Sequence, residues 1–92
     1  MEIPLKPDKK QVLLKRLNYI EGHLAGIRRM VEDDKYCVDI LTQTHAVRKA
    51  IEKLEGMLLE GHLESCVPSG IREGREDAVI AELKALYAQA QR

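Results

Sequence analysis

From Val12 onward, apolar residues return every three or four positions: Val12, Leu13, Leu17, Ile20, Leu24, Ile27, Met30 and Val31. That spacing places one apolar stripe along a helix. Asp8 reads as its N-cap, with Asp8-x-x-Gln11 resembling a capping box, so the pattern predicts a first helix over about 8–33. Gly22 and Gly26 share one face, where a neighbouring backbone could approach closely or where glycine is simply tolerated. Asp33-Asp34-Lys35 interrupts the pattern as a short turn. A second stripe follows through Ile40, Leu41, Thr44, Val47, Ile51, Leu54, Leu58 and His62, predicting a helix over 36–66 that is over seven turns long. Val67-Pro68-Ser69-Gly70 is expected to stop it. Ala78, Val79, Ala81, Leu83, Leu86 and Tyr87 then mark a third helix over 73–90. Residues 1–7, with Pro4 and Pro7, read as a flexible arm. No segment alternates like a strand and no repeat is present, so the expected fold is a single all-α domain over 1–92 with three helices.

Ninety-two residues with no Trp or Phe give a small aliphatic core, which oligomerisation or a metal often supplements. A proline-free second helix of this length suits a bundle in which it packs on a partner copy. No apolar run approaches the roughly 20 residues of a membrane span, and no secretory pattern opens the chain. A soluble, cytoplasmic protein is therefore expected, whose two cysteines serve as thiols rather than a structural disulfide. The zero net charge hides an asymmetry: from Lys6 to Arg29 seven basic residues face two acidic ones, a net +5. An ordinary solvated face and an anion-binding face both fit that excess.

Cys37, His62 and Cys66 are soft metal ligands, and they include both cysteines of the chain. His62 and Cys66 are four residues apart and project from one face of the helix. Cys37 lies at its other end, on the order of 37 Å from His62 at a rise of about 1.5 Å per residue. If the three bind one ion, Cys37 must come from a partner subunit packed antiparallel, and a two-fold axis would create the site twice. Two thiolates and an imidazole suit Cu(I), with zinc the main competitor. His23 and His45 read as structural or surface residues. No arrangement for nucleophilic, acid–base or phosphate-loop chemistry is present, so no enzyme is expected.

Leu14-Lys15-Arg16-Leu17, Ile20-Glu21-Gly22, Gly26-Ile27, Tyr36 to Gln43, His62-Leu63 and Ser65-Cys66-Val67 together resemble the copper-sensing CsoR/RcnR-type repressors of bacteria. The resemblance covers almost the whole chain after the arm, and the Cys37, His62, Cys66 spacing is similar to the family's copper triad. It implies an antiparallel dimer forming a four-helix bundle, two such dimers making a homotetramer, and operator DNA bound without a helix-turn-helix. In the copper branch, Cu(I) binding releases the DNA and derepresses copper-resistance genes. It also implies that Tyr36 and Glu82 surround the histidine, Glu82 accepting the imidazole N–H and tying the third helix to the metal state. For DNA it points to Arg16 and, on the second helix, Lys49 or Lys53, with Lys9, Lys10 and Arg48 as further phosphate contacts.

The branch follows from the ligands present. Nickel and cobalt sensors of this family add an N-terminal ligand, whereas Met1 to Pro7 contains no histidine. Persulfide sensors lack the histidine and formaldehyde sensors lack the second cysteine, but His62 and Cys66 are both present. The alternatives are a sensor of the same fold for another metal or for reactive sulfur, and a cytoplasmic copper chaperone or buffer that never touches DNA.

Overall fold

The computed structural model describes residues 5–91. It contains α1 (Pro7–Glu32), α2 (Cys37–Gly61), a π-helical turn (His62–Cys66), α3 (Val67–Arg72) and α4 (Glu76–Ala90). Helical backbone runs unbroken from α2 through the π turn into α3, so the fold is all-α with three rods, and no strand occurs among the described residues.

Pro7 rather than Asp8 begins α1. Lys6 occupies the N-cap position, and no side chain caps the helix. Proline suits the first helical position because its φ is preset and the N–H it lacks would be unbonded there anyway. Asp8 falls in the first turn, where a carboxylate meets the positive end of the helix dipole. The expected arm is partly folded: Leu5 is half-buried against the core, and residues 1–4 lie outside the described residues. Asp34 closes α1 in the left-handed region (φ 54°). Its N–H bonds to Val31 O and that of Lys35 to Met30 O, which satisfies two free carbonyls.

The largest departure from expectation is at Val67-Pro68-Ser69-Gly70, which does not stop the helix. Pro68 offers no N–H and its ring crowds the carbonyl four residues back. The backbone answers with one wide turn, in which the Val67 N–H reaches His62 O, and then resumes as α3. The stop comes at Gly74 (φ 77°). There the Gly74 N–H bonds to Ile71 O and the Arg75 N–H to Gly70 O, the same closure that ends α1. Gly70 has a different task, because a Cβ there would lie 2.4 Å from Cγ2 of Val79. It seats buried Val79 and lets α4 pack on α3.

α1 lies along α2 around Leu13, Ile20, Val47 and Leu54, flanked by Leu5, Ile27, Ala50 and Met57. His23 Nε2 donates to Gln43 Oε1 (2.7 Å) across the pair, and the Tyr19 ring stands edge-on to His23. His45 is instead exposed and accepts from Arg48 through Nδ1 (3.0 Å). Gly22 and Gly26 meet no neighbouring backbone among the described residues. The molecule is 17 Å across its thinnest dimension, less than two helix diameters of about 10–12 Å. Among the described residues, no side chain is accordingly buried to below 2% exposure.

Gly70→Ala forces its new methyl into Val79. It is expected to lower stability by about 1–3 kcal/mol, the usual cost of overpacking, read as a lower denaturation midpoint in urea.

Candidate metal centre

α2 carries two apolar stripes. Val47, Leu54 and Gly61, with half-buried Ala50 and Met57, face α1. About a quarter of a turn around the helix lie Cys37, Leu41, Thr44, Ile51, Leu58 and His62. Leu41 is 65% exposed, whereas Leu58 and Ile51 keep 42% and 37% of their surface in water. Cys37 and His62 thus stand at the two ends of a seam that the chain itself leaves open.

Cys37 is the first residue of α2 and is exposed. Tyr36 holds the N-cap position beside it, also exposed. His62 opens the π turn, and its Nε2 is fully buried without a hydrogen-bond partner. An orphaned buried ring nitrogen costs about 1–3 kcal/mol, so the site is poised for a ligand on Nε2. Cys66 closes the same turn and is half-buried. With one residue more per turn than an α-helix, His62 and Cys66 still project from one face.

Burial pushes the Cys66 thiol above its ordinary pKa. Its own backbone N–H pulls the value down, and the Glu82 carboxylate pushes it up. Glu82, half-buried on α4, therefore lies near enough to Cys66 for its charge to be felt there. It makes no hydrogen bond to His62 Nε2, however.

Among the described residues no three His, Cys, Asp or Glu side chains converge to hold a metal within one chain. Cys37 lies a helix length away from His62 and Cys66. The donors present, two sulfurs and an orphaned imidazole nitrogen, fit a soft ion of low coordination number such as Cu(I). If all three bind one ion, two chains are required.

The candidate DNA residues divide by environment. Arg16 is half-buried among Val12, Tyr19, Ile20 and Ala50, with Nε buried and unpartnered. Lys10, Arg48 and Lys53 are exposed. Lys49 pairs with Glu52 (3.5 Å). Lys9 turns inward to Glu64 (3.2 Å) and Glu60 (3.6 Å). The periodicity did not reveal the π turn or the partners of Lys9; Pro68 within a helical pattern was the one available signal.

A model of the metal-sensitive transcriptional repressor family matches residues 9–89. The chain is 45% identical over 76 residues to the copper-sensing transcriptional repressor CsoR of Mycobacterium ulcerans (strain Agy99). That match takes in 83% of this chain and 65% of the relative, so the chain spans just under two thirds of that protein's length. A crystal structure of the copper-sensing repressor CsoR with Cu(I) from Geobacillus thermodenitrificans NG80-2 superposes with a TM-score of 0.88 at 37% identity. It covers 99% of this chain and 95% of the other. The nickel-responsive transcriptional regulator InrS superposes with a TM-score of 0.70 at 34% identity, covering 86% and 89%. Proteins named for two different metals share the fold, so the metal must be argued from the donors.

Burial is the main cause of the raised Cys66 pKa and the Glu82 carboxylate adds to it, so Glu82→Gln is expected to lower that thiol's pKa. In the metal-free protein, the rate of Cys66 alkylation near neutral pH is expected to rise, while that of Cys37 stays unchanged; mass spectrometry of quenched time points reads both.

Proposed function

Because this chain belongs to the metal-sensitive transcriptional repressor family, we propose that it is a Cu(I)-responsive repressor that holds operator DNA without metal and lets go when Cu(I) binds, derepressing copper-resistance genes. The observation that carries the reading is the open seam of α2, with Cys37 at one end and the unpartnered, buried Nε2 of His62 at the other. The matching protein of Geobacillus thermodenitrificans was solved with Cu(I), which supports the choice of metal.

A second copy laid antiparallel on the seam buries Leu41, Ile51 and Leu58, and forms a four-helix bundle from two α1–α2 pairs. The same act brings Cys37 of one chain to His62 and Cys66 of the other at each end of the bundle. When bound, Cu(I) supplies a soft cation that joins two thiolates and an imidazole across the two chains. Tyr36 and Glu82 border that site, and Glu82 connects its state to α4. Two dimers pair into a tetramer, whose basic surface includes Lys9, Lys10, Arg16, Arg48, Lys49 and Lys53.

This surface engages phosphate and groove shape more than base edges, since no helix is presented as a recognition element. Regulation rather than catalysis is the activity. No helix among the described residues is long and apolar enough to cross a membrane, and the protein acts in the cytoplasm, where Cu(I) and DNA meet.

Fluorescence anisotropy with DNA from upstream of its own gene tests the whole reading. Cu(I) is expected to weaken DNA affinity at least about tenfold, within the usual range of allosteric coupling. Release by Ni(II) or persulfide but not by Cu(I) would replace copper with another inducer, and no DNA binding at all would favour a copper chaperone or buffer. Without metal, log affinity should fall against log salt with a slope of about −0.9 per phosphate neutralised.

The shared site predicts complementation. Cys37→Ala and Cys66→Ala each lose the trigonal Cu(I) site, whereas mixed dimers of the two recover one intact site of the two. Copper titration with X-ray absorption reads this, and a Cys37→Ala protein that keeps the full site contradicts the intersubunit arrangement.

A further inference from the structure

Gly61 is buried at the end of α2, immediately before His62. A Cβ there would lie 2.8 Å from Cδ2 of Leu5 and 3.9 Å from Cδ of Lys9. The residue is thus a seat on which Leu5 and the stem of Lys9 rest. From that seat the Lys9 ammonium reaches forward to Glu64 at 3.2 Å and to Glu60 at 3.6 Å. Glu64 occupies the middle of the π turn, two residues from His62 and two from Cys66. Lys9 is only 28% exposed, low for a lysine, because its stem is packed and its charge is held by two carboxylates. The start of the basic helix is therefore fastened to the one turn that carries two of the proposed ligands.

We propose that the Lys9–Glu64 pair, seated on Gly61, is a positioning link that transmits the state of the π turn to the first turn of α1. Together with its helper Glu60, it adds a second route beside Glu82. The proposal rests on the metal-sensing reading, since it needs His62 and Cys66 to be ligands. When both ends of the turn are drawn to one ion, the carboxylate between them shifts against an ammonium held in place by its packed stem. α1 responds as a rigid rod, and Arg16 lies two turns further along the same face as Lys9. Lys9 also has a choice of anions: held by Glu60 and Glu64 it is withdrawn from DNA, and released from them it is a phosphate contact. Movement of the turn thus alters the protein's reach toward DNA, with no ligand of the metal belonging to α1.

The test uses the full chain with Glu64→Gln, and with Glu60→Gln and Glu64→Gln combined, which remove charge and keep shape. Both variants are expected to take up one Cu(I) per protomer, as the unaltered protein does. Their ratio of metal-free to copper-loaded DNA affinity should fall by roughly two- to fivefold, the scale set by a partly exposed ion pair. The second readout is hydrogen exchange at the Lys10 amide, which closes the first turn on Lys6 O. Its protection should change on Cu(I) addition in the unaltered chain and stay constant in the double variant.

An unaltered protein that binds Cu(I) and keeps its DNA overturns the functional reading itself. An unaltered protein that releases DNA, beside a double variant with the same affinity ratio and the same exchange change, overturns the link alone. Lys9→Arg, which preserves the ion pair, is expected to keep the exchange response; Lys9→Met is expected to lose it. A response retained by Lys9→Met also overturns the link.

Discussion

A helix with two apolar stripes about a quarter of a turn apart cannot bury both against one neighbour, and α2 is such a helix. Leu13 and Ile20 of α1 cover the stripe of Val47 and Leu54. The stripe of Leu41, Ile51 and Leu58 remains partly in water. Burial of apolar surface is favourable by about 25 cal/mol per Å², so the open part of the seam favours association. Cys37 and His62 share that seam. In the proposed dimer, completion of the core and assembly of the metal site are one event, and a metal bound there stabilises the assembly it requires.

The far end of α2 shows how one backbone constraint shapes a site. Pro68 denies the helix an N–H and crowds the turn before it. The wide turn that relieves this has His62 and Cys66 as its first and last residues. π turns are costly and recur at functional sites. Here the turn holds two donors on one face and leaves the imidazole Nε2 without a partner. Two glycines frame the region. Gly61 admits Leu5 from the start of the chain, and Gly70 admits Val79 from α4. The neighbourhood of the candidate ligands is thus built from three distant stretches of sequence.

Much of the fold was legible in the periodicity, because it is local. The three rods lie where the stripes placed them, and the turn at Asp33-Asp34-Lys35 ends α1. The errors lay in punctuation. Asp8 carries a capping side chain, yet Pro7 starts the helix through its fixed φ. Pro68 and Gly70 read as a stop, but proline can be absorbed by a widened turn, and a glycine can serve for space rather than for conformation. Gly74, at φ 77°, does the stopping. The same residue types carry both meanings, and their own stretch of sequence does not distinguish them.

Residue types and spacing by themselves determined an all-α chain with an over-long second helix and a soft donor set too widely separated for one subunit, since helix rise per residue converts sequence spacing into distance. They also carried the family resemblance, which the match over residues 9–89 bears out. Tertiary structure decided which stripe α1 covers and which stays open, where Lys9 finds its carboxylates, and that the Glu82 charge acts on Cys66. The physical reason is range. Periodicity and dihedral preference act within a few residues of chain, whereas burial, ion pairing and van der Waals contact depend on atoms within a few ångströms of one another, whatever their separation in sequence.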